Sequence, residues 1–186
     1  ANSVVLSTMA DAILAWPPRG PVYLPSASYH EMERWALPPV QARRLARLEE
    51  APLLSEAGAD DEALLRGSHW RNFFTRYPES NRLHKVMQHL SRACRAAGDP
   101  AEARHHIGRA QCNDAYWHGL FGGLYLPHLR RAAWSSLCAL EAGLERLSPR
   151  APLERVDLDL DGRDEWLIGE GGLHAAVRDD GRAALH

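Results

Sequence analysis

The sequence predicts a mainly α-helical chain: an antiparallel three-helix bundle, preceded by a short α/β barrel remnant and followed by a truncated β segment. Three observations predict it. Between residues 78 and 147 apolar residues recur at spacings of three and four, the period of one helix face. Ahead of that region, short β-prone stretches flank a helical one and the break Pro17-Pro18-Arg19-Gly20-Pro21. After Leu153 the period drops to two. The expected boundaries are 1–38 for the barrel remnant, 39–150 for the bundle and 151–186 for the β segment.

In chain order, Val4-Val5-Leu6 and Val22-Tyr23-Leu24 read as strands around a helix from Met9 to Trp16. Strand, helix, strand is barrel grammar, and functional groups gather past the carboxyl ends of barrel strands. Ser26, Ser28 or Tyr29 would lie at such an end. Ser28 and Glu31 also match a capping box, and Ser28 is read first as a cap. Pro38-Pro39 opens a charged amphipathic helix carrying Leu45 and Leu48, and residues 53–67 read as a connecting loop. Trp70, Phe73, Phe74 and Tyr77 form an aromatic stripe at helical spacing, which predicts core.

Pro78 fits a first helical position, and Leu83, Val86, Met87, Leu90 and Cys94 define the apolar side of the helix it opens. Gly98 fits the left-handed residue past its end. Asp99-Pro100 reads as an N-cap and first-turn proline for the next helix. Pro127 opens the longest pattern, through Leu129, Ala133, Leu137, Leu140, Leu144 and Leu147, closed by Pro149 and Pro152. Three helices with short links pack most simply as an antiparallel bundle. Val156, Leu158 and Leu160 then alternate with aspartates, and Asp180-Gly181 is a hairpin signal. So few β residues leave unpaired edges unless they dock on the bundle or continue further.

Composition excludes several function classes. A net charge of −2 over 186 residues supplies no basic field for nucleic acid or anionic lipid. No uninterrupted apolar stretch is long enough to span a bilayer. The three cysteines, Cys94, Cys112 and Cys138, lack metal-ligand spacing and read as free thiols, which favours a reducing cytoplasm. Ten histidines include no His-Glu-x-x-His pattern, so no metal centre or other cofactor is expected. Asp157-x-Asp159-x-Asp161-Gly162 copies the first half of a calcium loop, but its twelfth position is Ile168 rather than Glu, and a polar strand face with a turn is the default.

The chemistry concentrates at Gln111-Cys112-Asn113-Asp114-Ala115-Tyr116-Trp117-His118-Gly119, before Gly122 and Gly123. If this segment is helical, Gln111, Asp114 and Trp117 or His118 share one face. A carboxylate that holds vicinal hydroxyls, beside an indole face, suits a sugar ring. A polar helix end packed against another domain fits the same spacing.

The run from Gln111 on to Arg131 resembles the signature of family 57 glycoside hydrolases, in the α-amylase and 4-α-glucanotransferase group. Two further blocks agree in the same order: Tyr23-Leu24-Pro25-Ser26-Ala27-Ser28-Tyr29-His30-Glu31 on to Pro38, and Trp70-Arg71-Asn72-Phe73-Phe74-Thr75-Arg76-Tyr77-Pro78-Glu79-Ser80-Asn81 on to Lys85. A weaker match covers Asp157 to Glu165, where the family opens a β-rich domain. The resemblance implies a retaining enzyme acting on α-1,4-glucans, and it places both catalytic carboxylates on strands of an N-terminal barrel ahead of Ala1. No catalytic residue is therefore expected in this chain, which reads as an inactive internal piece of such an enzyme. The resemblance implies Asp114, Trp117 and, more weakly, His118 as substrate-binding residues, with a maltooligosaccharide or other α-glucan and the N-terminal barrel domain as partners. The alternative is a non-catalytic helical protein-interaction module, with the surroundings of Trp117 as its docking patch.

Overall fold

A computed structural model of the chain describes residues 6–23, 28–50, 65–170, 172–178 and 183–185. Among these are seven α-helices and one four-stranded antiparallel sheet. The mainly helical expectation is met.

Helix α1 (Met9–Ala15) is capped by Thr8, whose hydroxyl accepts from the Asp11 N–H, and it buries none of its side chains. The expected strands around it do not appear among the described residues. Val22 and Tyr23 are exposed and not in a strand, while Val4, Val5 and Leu24 lie outside the described residues. Helix α2 (His30–Trp35) follows and buries Met32. Ser28 is not its cap, which corrects the capping-box expectation. The helix starts after Tyr29, and the Ser28 hydroxyl accepts the Trp70 backbone N–H at 2.9 Å. A local cap has been exchanged for a tie between segments 42 residues apart. Helix α3 (Pro39–Glu49) turns in Leu45 and is joined to α2 by the Arg34–Glu49 ion pair. The loop expected at 53–67 falls largely outside the described residues.

Helix α4 (Arg71–Arg76) is short, and Pro78 occupies the first turn of α5 (Pro78–Ala96), where its missing N–H costs nothing. The predicted apolar stripe of α5 is buried in full: Leu83, Val86, Met87, Leu90 and Cys94. Gly98 has φ +83°, the left-handed value expected after the helix. Asp99 is not the cap of α6 (Ala101–Ala110), a second correction. It also has positive φ, Pro100 precedes the first helical residue, and the Asp99 carboxylate accepts from the Cys94 thiol instead. Helix α7 (Pro127–Leu147) buries Ala133, Leu137, Leu140 and Leu144, while Leu147 is exposed. Side chains of α5, α6 and α7 interleave in one core, closed on one side by Ala115 and Tyr116.

Strands β1 (Leu153–Val156), β2 (Glu165–Glu170), β3 (Leu173–Arg178) and β4 (Ala183–Leu185) pair in sequence order. The expected alternation through Leu160 stops early. β1 ends at Val156, Leu158 enters the helical core, and Leu160 is exposed with φ +56°. β3 and β4 pair as a hairpin would, with Val177 opposite Ala183, though Asp180-Gly181 itself lies outside the described residues. The sheet docks on the helices through Leu158 and Ala176, helped by Val156 and Leu167. At the same junction Glu141 of α7 pairs with Arg150 and with His174 of β3. Those two hydrogen-bond partners hold the Glu141 carboxyl below the usual range, against the opposing effect of burial. No helix among the described residues is long and apolar enough to cross a membrane.

Candidate functional site

Helix α6 ends at Ala110, and the backbone then leaves helical geometry at Cys112. Asn113–Ala115 form a single 3-10 turn, and a second spans Gly123–Tyr125. The sequence expectation of one helical face shared by Gln111, Asp114 and Trp117 is therefore corrected. Asn and Asp side chains compete with the helical backbone for hydrogen bonds, and two anchors hold the alternative path. The Tyr116 hydroxyl donates to the Ala110 carbonyl at 2.6 Å, and the Ser80 hydroxyl of α5 donates to the Tyr116 carbonyl.

The loop that follows closes on itself. The Leu124 N–H donates to the Trp117 carbonyl at 2.9 Å, and Gly123 (φ +45°) lies so close that a Cβ there would come within 1.9 Å of the same oxygen. Arg130 fixes the far side, donating to the Leu124 carbonyl at 2.5 Å and pairing with Glu79 at 2.8 Å. Glycine at position 123 is thus required by space as well as by φ.

Asp114 is exposed on the first 3-10 turn. Trp117 is half-buried, edge-on to Tyr29 at 5.2 Å and tilted against Trp35 at 5.3 Å. It lines a cavity of about 220 Å³ with Met32, Trp70, Phe73, His84 and Asn113. Asp114 is not among the residues lining that cavity, so the structure makes the aspartate and the indole neighbours on one loop without joining them in one pocket. His118 is half-buried among Trp35 at 4.7 Å, Phe73 at 5.5 Å and Tyr125, whose ring is nearly parallel to its own. Its Nδ1 stands 3.1 Å from the Gly119 carbonyl, a position that secures the glycine turn.

Sequence reasoning named Tyr29 as a candidate but missed the contribution of Met32 and Trp35 of α2. Tyr29 and Trp35 flank the Trp117 indole, and Met32 lies in a second core cluster with Ala36, Phe73 and Leu124. The segment is pinned through the Glu33 carbonyl, which accepts the Ser68 N–H, and through Arg76, which donates to the Trp35 and Leu37 carbonyls. The signal available in the sequence was the pair of aromatics bracketing a short helix. The predicted aromatic stripe is also divided: Phe73 is fully buried, whereas Trp70, Phe74 and Tyr77 are half-buried and serve as walls. His84 stacks on Phe74 at 4.6 Å, and burial pushes its pKa down to about 4, helped by Lys85 and Arg71.

The aspartate loop between β1 and β2 has its own internal order. Oxygens of Asp157, Asp159 and Glu165 lie within 4.8 Å of one another, a spacing a cation could bridge. Arg178 of β3 supplies positive charge at that point, donating to Glu165 at 2.7 Å, Asp159 at 2.9 Å and Asp161 at 2.5 Å. Asp157 accepts the Asp161 and Gly162 N–H groups, which folds the turn. The half-match to a calcium loop is accounted for by an arginine-centred turn.

Comparison with known proteins shows what the chain is similar to. Residues 68–144 match the family model described as alpha-amylase/4-alpha-glucanotransferase, middle domain. The chain is 43% identical over 179 residues to a 4-alpha-glucanotransferase of Thermococcus litoralis, and 49% identical over 179 residues to an alpha-amylase of Pyrococcus abyssi. Each alignment covers 95% of this chain and 26% of the relative. The crystal structure of the Thermococcus litoralis 4-alpha-glucanotransferase superposes with a TM-score of 0.68 at 41% identity, over 92% of this chain and 26% of that one. The chain thus spans about a quarter of the length of the curated relatives it matches.

Proposed function

The match of residues 68–144 to the α-amylase/4-α-glucanotransferase middle domain is the premise from which we propose that this chain is the middle region of an α-1,4-glucan hydrolase or transglycosylase. It carries substrate contacts and no catalytic carboxylate. Retaining chemistry needs two carboxyl groups about 5–5.5 Å apart, one attacking the anomeric carbon and one protonating the leaving oxygen. In this reading both belong to an N-terminal barrel ahead of the matched span.

The observation that carries the reading is the loop that holds Trp117. Its indole borders a cavity while Asp114 stands exposed three residues before it, free to take sugar hydroxyls from a cleft that the barrel completes. Trp117 would form a wall against the sugar and against water, which favours transfer to a second glucan over hydrolysis. His118 would hold the turn that presents both. Exposed Leu120 and Phe121 on the same loop support docking against another protein surface, in this reading the barrel domain of the same protein.

The test is Asp114→Ala in the intact enzyme. Losing a charge-assisted hydrogen bond predicts a drop in kcat/KM of about 10- to 100-fold, with the melting temperature unchanged. Unchanged activity would remove Asp114 from the site, and unfolding would return it to a structural role. The isolated 186-residue chain should release no reducing sugar from maltoheptaose.

A further inference from the structure

A second opening lies where α4 and α5 meet the aspartate loop, and the Trp117 loop has no part in it. It is a cleft of about 790 Å³, within the roughly 300–1,000 Å³ range of small-ligand sites. Trp70, Phe74 and His84 line both this cleft and the Trp117 cavity, so the three rings form a shared wall. Aromatic rings make one part of the cleft. Along α5, residues 81, 84, 85 and 88 make the other, at the spacing of a single helix face away from the buried stripe.

The polar groups of that face are poised for hydroxyls. The Gln88 amide nitrogen stands 3.5 Å from His84 Nε2, and with Gln88 as donor the imidazole proton belongs on Nδ1. That Nδ1 has no hydrogen-bond partner among the described residues, and neither has Asp159 Oδ1. Both residues line this cleft. The two atoms are themselves closed off from solvent, so the polar side chains left to meet a ligand on this face are Asn81, Lys85 and Gln88. The depressed pKa of His84 keeps the ring neutral near pH 7, so no fixed imidazolium charge excludes an uncharged ligand. Lys85 adds a flexible donor.

We propose that this cleft is an accessory binding site for an α-glucan segment, with sugar faces against Trp70 and Phe74 and hydroxyls on Lys85 and Gln88. The choice of an α-glucan rests on the proposed function. Ring faces beside amide and ammonium donors match pyranose chemistry, and the charges around them are mixed, Arg71, Lys85 and Arg178 against Asp159 and Asp161.

Maltoheptaose is titrated into the full 186-residue chain, followed by backbone and imidazole NMR shifts, with cellohexaose as the control sugar. Saturable shifts at His84 and Gln88 are expected for maltoheptaose. They should weaken about tenfold in Lys85→Ala/Gln88→Ala and stay within about twofold of wild type in Asp114→Ala. Both altered residues lie on the polar side of α5, and circular dichroism verifies the fold. The proposal is overturned by absence of saturable shifts at millimolar maltoheptaose, by equal response to cellohexaose, or by binding that Asp114→Ala abolishes and the double variant does not. That last result would still support the proposed function. Full activity of Asp114→Ala in the intact enzyme would count against the proposed function instead, so the two failures are distinguishable.

Discussion

Gly123 shows how much one atom decides in the Trp117 loop. A methyl group there would meet the Trp117 carbonyl at 1.9 Å and the Asp114 carbonyl at 2.9 Å, both of them backbone and unable to swing aside. Gly123→Ala is therefore expected to cost about 3 kcal/mol or more, with loss of the fixed Trp117 environment in near-UV circular dichroism. Gly98→Ala makes the comparison, since it shares positive φ but has open space around its Cβ, and should cost about 1 kcal/mol. His84 adds a pH dependence of known sign. Its pKa falls from 6.5 to about 4 on folding, so between those values the unfolded chain binds more protons and stability rises with pH. The contribution is complete above about pH 6.5 and is lost as the pH drops toward 4. His89 is also held low, chiefly by burial, and acts in the same direction. The His84 share is therefore read as the difference between wild type and His84→Gln in urea midpoints at pH 7, 5 and 4. Equal slopes would place His84 in water.

Elements explain the aspartate loop better than the sequence pattern did. Arg178 binds three carboxylates that would otherwise crowd one another, and Glu165 among them is buried and also accepts the Leu158 N–H at 2.8 Å. Removing the cation strands those charges, so Arg178→Met is expected to destabilise by about 3 kcal/mol near neutral pH. Asp159 is already held above its usual pKa, first by burial and then by Glu165, so protonation relieves the variant and its deficit should shrink as the pH falls toward 4. Thermal melts of both proteins at pH 7 and 4.5 check this, and a deficit that grew on acidification would reverse the assignment. Such a network was not legible beforehand, because Arg178 lies 13 to 19 residues from its partners and only the β2–β3 register brings them together. What was legible had a period. The α5 stripe, the α7 stripe through Leu144, Pro78, Gly98 and the first β strand after Leu153 each carry a local signal that packing did not override. Ser28 and Asp99 carried equally good local signals for caps, and both side chains were taken by other partners, Trp70 in one case and Cys94 in the other. For the candidate site, the sequence located the loop but not its shape, since a helical spacing says nothing about the Tyr116 anchors that end the helix.

At the scale of the whole molecule, apolar surface collects around the loop that holds Trp117. Leu120 is 79% exposed, Phe121 92% and Tyr125 56%, on a chain that spans a quarter of its relatives. None of these side chains belongs to the buried cluster of Met32, Ala36, Phe73 and Leu124. Full burial of one Phe stabilises by about 1.5–3 kcal/mol, and a side chain this exposed contributes almost none of that within the chain. Under the proposed function, burial is completed by the barrel domain, so the same substitution has two different effects. Phe121→Ser should leave the stability of the isolated chain within about 0.5 kcal/mol of wild type. In the intact enzyme it should weaken the domain junction by about 2 kcal/mol and raise KM as the Asp114 loop loses its seat. Differential scanning calorimetry of both proteins, alongside maltoheptaose kinetics, separates the cases. Equal effects in the two contexts would mean that Phe121 faces water in the enzyme too, and the barrel would then have to meet this domain elsewhere.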